Sequence, residues 1–437
     1  MTPAAVENLS CRTNAQSAGS ALILRADARA LPLADCSVDL IVTSPPYFGL
    51  RSYTDGGEHY DGQIGSEETP AEFTAALLAC TREWMRVLKP TGSMFVDLGD
   101  SYYSGRGAPG KTTVDAKNLG RTARRAGRSP LDRSDLGYPR KSLLLMPERY
   151  RIACLDDLGL TVRAVMVWEK LNALPESVTD RVRRSHEDWV HLTMGPRYFA
   201  SVDEIREPSD PRNLRPSDLA GRVSAKDAAR RSSRLGAVGH PGVPLAFNPL
   251  GKLPGSVWAI ASEPLKVPAE LGVDHFAAFP MEWPRRLIRG WSPSGYCTEC
   301  DEPRRPTYNR DFAIQDDCSP DTAFKRDKHY AGNNWRDKPR GSSMVSRAGE
   351  ACACPAPTAP TRPAVVLDPF GGTGTTALVA RAYGRIGISV DMSADYCRIA
   401  RWRTTDPGEI AKALGVAKPP SEVEGQGELF GPEMDLS

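Results

Sequence analysis

No run in this chain of 437 residues approaches the roughly 20 consecutive apolar residues of a membrane span. Residues 1–20 also lack the basic start and apolar middle of a secretory leader. Both absences point to a cytoplasmic chain with no membrane partner. Net charge is nearly missing too: 56 Lys and Arg against 54 Asp and Glu leave +2, so partners must be read from local charge. Cysteine is present, but ten scattered Cys in a cytosolic chain of this length make no disulfide framework and point to metal or chemistry where they cluster. What is there suffices for a core: 40% of the residues are hydrophobic and 25% charged, while 38 Gly and 37 Pro imply long irregular connections. At about 150 residues per compact unit, the length predicts two or three units.

Short apolar runs bounded by turn residues, the pattern of buried parallel strands, occur at 22–24 and 37–42. Residues 72–88 place Phe73, Leu77, Leu78, Trp84, Met85 and Leu88 at an approximate helical period closed by Lys89-Pro90-Thr91-Gly92, and a strand is expected over 93–98. Apolar runs and helical patterns recur at 144–158, 160–168, 285–289, 365–367, 375–383 and 386–390. This alternation predicts an α/β fold with a mostly parallel, doubly wound, Rossmann-like sheet.

Other stretches break the rhythm. Between 104 and 140, nine Lys and Arg face three Asp with almost no apolar residues, so a basic mobile loop is expected. Within 206–270, the run from 222 to 234 sets Arg222, Lys226, Arg230, Arg231 and Arg234 against Asp227 alone, which fits a solvated linker or a nucleic-acid contact. Residues 1–20 read as an N-terminal extension and 409–437 as an acidic, disordered tail. The main domain is then expected in pieces, 21–103, 141–205, 271–294 and 361–408, with an insertion at 295–360.

Residues 365–376 run from an apolar strand through Asp368-Pro369-Phe370-Gly371-Gly372-Thr373-Gly374 into a helix. The glycines let the backbone pass close to a ligand, and the new helix's free N–H groups favour a carboxylate or another anion. Asp391, about 20 residues on at the end of the next strand, stands where nucleotide folds bind ribose hydroxyls. Asp368 and Phe370 replace the glycines of a pyrophosphate turn. An acid there repels phosphate but accepts from a cationic amine, so S-adenosylmethionine is expected before NAD. Thr43-Ser44-Pro45-Pro46-Tyr47 ends another strand. Its prolines remove N–H groups and favour extended geometry, so a carbonyl and Ser44 Oγ are placed to accept from a planar amino group on whose ring Tyr47 stacks.

The two motifs resemble those of the DNA amino-methyltransferases, and their order, with residues 43–47 far ahead of 368–376, is similar to that of the permuted beta group. The segment Val167-Trp168-Glu169-Lys170-Leu171-Asn172-Ala173-Leu174-Pro175-Glu176-Ser177-Val178 resembles the family's stretch beside the flipped-base pocket, as do Asp180-Arg181, Arg184-Ser185-His186-Glu187 and Pro196-Arg197-Tyr198-Phe199. Residues 37–47, 87–102 and 275–280 look like the family as well, so the resemblance covers most of the chain outside the basic stretches, the tail and 206–254.

That resemblance implies site-specific methyl transfer from S-adenosylmethionine to the exocyclic amine of a base flipped from double-stranded DNA. It also implies a bacterial or phage origin, with a cognate restriction endonuclease as a candidate partner. Carried onto this sequence, Asp368, Phe370 and Gly372 hold the cofactor, Asp391 its ribose, and Asp27 with Ala28 its adenine edge. Phe279 and Pro280 close over its methionine end. Ser44, Pro45, Pro46 and Tyr47 receive the base, and 206–270, helped by the basic loop, reads the target. Two residues depart from the family pattern: Ser389, where glycine is usual, and Glu169, where an uncharged or basic residue is.

Within the family, Ser at position 44 is typical of cytosine-N4 enzymes and Asp or Asn of adenine-N6 enzymes. Cytosine is expected, and adenine is the alternative. A cytosine-C5 enzyme needs a nucleophilic Cys, usually after Pro, and no Cys here follows one. An RNA or protein amide methyltransferase also presents Pro-Pro-Tyr, but with the cofactor turn ahead of it. A DNA-binding protein without catalysis is the non-enzymatic alternative. Cys297, Cys300, Cys352 and Cys354 form two close pairs that fit a structural zinc, with reduced thiols as the alternative and Cys318 as a substitute ligand. Cys11, Cys36, Cys80, Cys154 and Cys397 read as ordinary thiols, His186 as ordering its Arg-rich surroundings, and His275 as structural.

Overall fold

The computed structural model describes residues 19–49, 54–55, 58–59, 62–103, 136–173, 175–176, 178–208, 250–271, 278–314, 341–354 and 359–418. The extension to residue 18, the basic loop from 104 to 135, target-region residues 209–249, the tail from 419, Cys11, Leu174, Ser177, His275 and Cys318 lie outside the described residues. Two compact units emerge: Met1–Phe199, Val257–Ile288 and Pro363–Ser437 form one, Ala200–Ser256 and Arg289–Arg362 the other.

The first unit is built on an eight-stranded sheet. Its strands are β1 (Ser20–Arg25), β2 (Val38–Thr43), β3 (Leu88–Leu98), β4 (Thr161–Lys170), β5 (His186–Thr193), β6 (Val257–Ile260), β7 (Val365–Asp368) and β8 (Ile386–Asp391), in the spatial order β1-β8-β7-β2-β3-β5-β4-β6. The neighbours from β1 through β3 run parallel, and β5 lies antiparallel between β3 and β4. All six residues of β2 are buried, as a central strand covered on both faces requires. Asp39 is tolerated inside it because its carboxylate accepts from Lys89 Nζ and from the Val365 amide, both at 2.7 Å.

Helix α1 (Pro70–Val87) starts at a capping box in which Thr69 and Glu72 each accept the other's backbone N–H. Its Leu77 and Trp84 join Tyr150 of α2 (Met146–Asp156) in a core over Ile41, Met94, Val96, Leu367 and Ile388. Helix α4 (Thr375–Ala382), which follows α3 (Glu282–Trp291), covers the opposite face. There Gly387, one residue from Ile388 and therefore pointing the other way, leaves room for the α4 backbone: a Cβ would stand 2.4 Å from Ala377 O. Helix α5 (Ala394–Thr405) packs on β1 and β8, and α6 (Pro407–Leu414) on α4 and α5. The sheet is thus doubly wound, as its alternating pattern predicts.

Four expectations are corrected. Strand β5, not foreseen in the sequence reading, is buried over its last five residues and interrupts the parallel run. Strand β3 begins at Leu88, directly after α1, where a turn through Gly92 is expected from Lys-Pro-Thr-Gly; its first pairing, Val38 with Leu88, is out of step with the rest. Residues 257–260, assigned to the target region, pair in parallel with β4, because alternating Trp258 and Ile260 are buried. The segment 407–414, read largely as tail, is helix α6, started by Pro407 after the Asp406 cap and ended by Gly415 in the left-handed region.

In the second unit, strands Arg305–Ile314 and Gly341–Ala351 form an antiparallel pair. Tyr308 Oη donates to Glu204 at 2.7 Å, and Arg305 to Ala200 O at 3.0 Å. No described helix is long and apolar enough to cross a membrane.

Candidate active site

Between β7 and β2 the winding of the sheet reverses: the chain leaves β7 for β8 on one side and β2 for β3 on the other. Open α/β sheets bind ligands at the carboxyl ends of strands flanking such a switch point. The glycine-rich turn leaves β7 there and Ser44–Tyr47 leaves β2, brought side by side by the parallel pairing of Val366 with Leu40 and Leu367 with Ile41.

The turn is held from beneath. Gly371 N donates to Val390 O at 2.8 Å, and Gly372 and Gly374 have φ values of +49° and +78°, which favour residues without a Cβ. At Gly371 a Cβ would fall 1.9 Å from Ser389 Oγ. Ser389 therefore fills the space beside the turn, and its buried hydroxyl has no hydrogen-bond partner among the described residues. Asp391 accepts from Gly372 N at 2.9 Å and Ser393 N at 2.8 Å, so it ties the turn to the end of β8. Asp368 is 1% exposed, accepts from Thr376 Oγ1 at 2.9 Å and Phe370 N at 3.1 Å, and burial pushes its carboxyl up to about 7.

Across the switch point Ser44 Oγ donates to Tyr47 Oη at 3.4 Å, and Tyr47 Oη donates to Asp97 Oδ2 at 3.2 Å. The Tyr47 ring lies where a Cβ on Gly99 would meet it at 2.5 Å. Strand register accounts for Asp97: it pairs with Trp189, two residues from Glu187, and Glu187 pairs with Trp168, two residues from Lys170. Side chains of directly paired residues share a face, as do residues two apart, so Asp97, Glu187, Trp168 and Lys170 all stand on one face. Lys170 Nζ reaches Glu187 at 2.5 Å. Burial first, then the nearby Glu187 charge, hold the Asp97 carboxyl well above the ordinary range. Burial likewise raises the Tyr47 phenol.

A cavity of about 810 Å³ joins both halves. It is lined by Ser44, Pro45 and Tyr47 on one side and by Phe370, Gly372 and Phe279 on the other. Of the remaining residues expected from the sequence, Asp368 and Asp391 lie behind the turn, and Pro46 and Pro280 are not on the cavity wall. Asp27 follows β1, whose Arg25 pairs with Asp391. Its carboxylate is engaged by Arg29 at 2.6 Å, and that hydrogen bond lowers it. Ala28 is buried in the hydrophobic core. Sequence reasoning missed Asp97, although an acid in the apolar run Phe95-Val96-Asp97-Leu98 was a signal. Lys170 and Glu187 stand in segments that the resemblance put beside the base pocket, but sequence reasoning assigned neither a role, because their meeting depends on the register of β4 and β5. Glu169, noted as a departure, is an exposed neighbour of Lys170.

In the second unit, the sulfurs of Cys297, Cys300, Cys352 and Cys354 lie within 4.8 Å of one another, with Cys297–Cys354 at 3.6 Å and Cys352–Cys354 at 3.4 Å. The backbone N–H groups of Glu299 and Cys300 donate to the Cys297 sulfur, and the buried Arg304 lies 4.0 Å from it. Cys36, Cys80, Cys154 and Cys397 stand outside this group.

The DNA methylase family N6_N4_Mtase matches residues 38–297 and 360–401, more than half of the chain. The type II methyltransferase M.XycI of Xanthomonas campestris pv. cyanopsidis is 38% identical over 193 residues, which are 44% of this chain and 60% of that protein. M.SfiI of Streptomyces fimbriatus is 28% identical over 396 residues, 83% of this chain and 86% of that one. Among solved structures, the cytosine-N4-specific PvuII DNA methyltransferase aligns over 92% of this chain and 95% of its own, at 16% identity and a TM-score of 0.47. On the family match, carried by the segments that build the cavity, the chain belongs to the DNA methylase family.

Proposed function

We propose that this protein methylates the exocyclic amine of a base turned out of double-stranded DNA at a specific site, with S-adenosylmethionine as methyl donor and cytosine N4 as acceptor. The observation that carries the reading is the single cavity in which the glycine-rich turn faces Ser44, Tyr47 and Asp97. The cofactor, when bound, supplies an electrophilic methyl group on a sulfonium. The residues fit it: glycines allow close approach, Asp391 puts a carboxylate, an acceptor for ribose hydroxyls, against the Gly372 amide at the end of β8, and Phe370 and Phe279 give apolar walls.

Ser44 Oγ and a carbonyl of the Pro45 region accept the amine's two protons, which favours the nitrogen geometry and charge that develop during attack. Tyr47 offers its ring to the base. The chain of hydroxyls from Ser44 through Tyr47 ends on Asp97, which as a carboxylate can accept a proton relayed from the reacting nitrogen. The neutral hydroxyl at position 44 favours cytosine. Type II relatives favour a restriction–modification setting with a cognate endonuclease as partner, in a bacterial or phage-encoded cytoplasmic enzyme. The four clustered thiols hold a structural zinc, a reading supported by their spacing, by the amides donating to Cys297 and by the Arg304 cation beside a thiolate-rich centre.

The test is expression in a methylation-deficient bacterial host, digestion of its DNA to nucleosides and mass spectrometry, beside a Tyr47→Ala control. N4-methylcytosine is expected, falling at least about 100-fold in the control. N6-methyladenine would replace cytosine by adenine in the same site. Absence of both would overturn the reading.

A further inference from the structure

Arg403 lies on α5 with 2% of its surface exposed, and its guanidinium is committed on two sides. Nε donates to Glu409 Oε2 of α6 at 2.8 Å. Nη1 donates to the hydroxyls of Thr373 at 3.1 Å and Thr375 at 2.7 Å. Both threonines line the cavity beside Gly372, whereas Arg403 does not.

A guanidinium has donors and no acceptor. Each threonine oxygen must therefore accept from Arg403, and each hydroxyl proton is turned away from it, free to be donated elsewhere. The first-turn amides of α4 add donors at the same place. That end of the cavity consequently offers hydroxyl and amide hydrogens to an anion, with the cation sealed behind them. Glu263 also lines the cavity, and its carboxylate is fixed by Lys412 Nζ at 2.7 Å and by the Met281 amide at 3.0 Å. A zwitterion bearing both a carboxylate and an ammonium matches this pairing of donors with a fixed acid.

We propose that Arg403 is a positioning residue for the cofactor: by holding the Thr373 and Thr375 hydroxyls as donors toward the cavity, it makes this end select the α-carboxylate of an amino-acid-bearing nucleoside. The proposal rests on the cofactor reading above and deepens it. Arg403 acts through the threonines without touching the ligand. Glu409 is part of the device because it fixes the guanidinium, which makes α6 a component of the cofactor site.

Titration calorimetry of the full chain with S-adenosylhomocysteine and with 5′-methylthioadenosine, which keeps the adenosine and thioether but lacks the amino acid, separates this role from general support of the fold. Arg403→Gln is expected to weaken S-adenosylhomocysteine by at least about tenfold while methylthioadenosine changes by less than about twofold. Arg403→Lys, which also only donates, should recover most of the loss. Because a buried arginine can be needed for folding, the Thr373→Val/Thr375→Val double variant asks the same question with Arg403 in place, and the same selective loss is expected. Equal weakening of both ligands in these variants, or no weakening of S-adenosylhomocysteine, overturns the role of Arg403. Failure of the unaltered protein to bind S-adenosylhomocysteine at all overturns the cofactor reading along with it.

Discussion

At Asp368 the sequence shows an acid at a strand end, and the structure shows what its setting does to the proton. The carboxyl is 1% exposed, with its pKa raised to about 7 chiefly by burial. The unfolded chain has the ordinary value near 3.8. The folded state therefore holds the proton more tightly, so this group's contribution to stability is fully present below about pH 4 and is lost as pH rises through about 7. Over that window the slope approaches about 1.4 kcal/mol per pH unit for this one group. Carboxylates such as Asp27 and Glu83, held low by Arg29 and Arg86, slope the opposite way, so the difference from a variant is the informative quantity. Urea unfolding between pH 4 and 8 should show Asp368→Asn with a shallower decline than the unaltered protein. Parallel curves would show that Asp368 does not carry the effect.

Among the elements, β2 is the strand on which the site depends, since Ser44–Tyr47 leaves it and β7 aligns against it. Hydrophobic pattern explains its burial but not its position, which Asp39 helps to fix. One carboxylate oxygen takes Lys89 at the start of β3 and the other takes the first amide of β7, so a single side chain joins three strands at the end of the sheet away from the cavity. Asp39→Ala should cost about 3 kcal/mol, because it leaves a mostly buried ammonium and a strand amide without this partner. Asp39→Asn, which keeps an acceptor for Val365 N, should cost less. Equilibrium unfolding in urea measures both, and a loss under about 1 kcal/mol for Asp39→Ala would show that sheet pairing alone sets the strand order.

For the molecule as a whole, the two units call on different sources of stability. The first has a continuous core from α1 and α2 through the sheet. In the second, the described part of the insertion and its flanks hold two small strand pairs, Arg305–Ile314 with Gly341–Ala351 and Gly295–Cys297 with Thr361–Pro363, beside four thiols gathered from positions more than 50 residues apart. Metal analysis of the purified chain should find one zinc per molecule, and Cys300→Ser or Cys352→Ser should abolish stoichiometric binding. Removing the metal with a strong chelator should lower a melting transition by several degrees, with the metal restoring it. A metal-free chain whose melting ignores chelators would leave reduced thiols as the description.

Residue order alone determined the fold class, the glycine-rich turn, the receiving motif and the two cysteine pairs. These are local signals, readable because a strand end, a turn or a knuckle is specified by neighbours in the chain. Tertiary structure decided what those signals meet. Strand β5 escaped notice because its segment reads as polar at the start, where His186 and Glu187 face a site and not solvent-free packing. Asp97, Glu187 and Lys170 come together only through antiparallel register across three strands, and no spacing along one strand encodes it. Arg403 of α5, fixed by Glu409 of α6, reaches Thr373 and Thr375 beside the glycine-rich turn, and α6 lies in a stretch read largely as tail. Local sequence sets backbone geometry over a few residues, whereas the polarity of a hydroxyl or the proton affinity of a buried acid is set by groups that only the packed chain brings near.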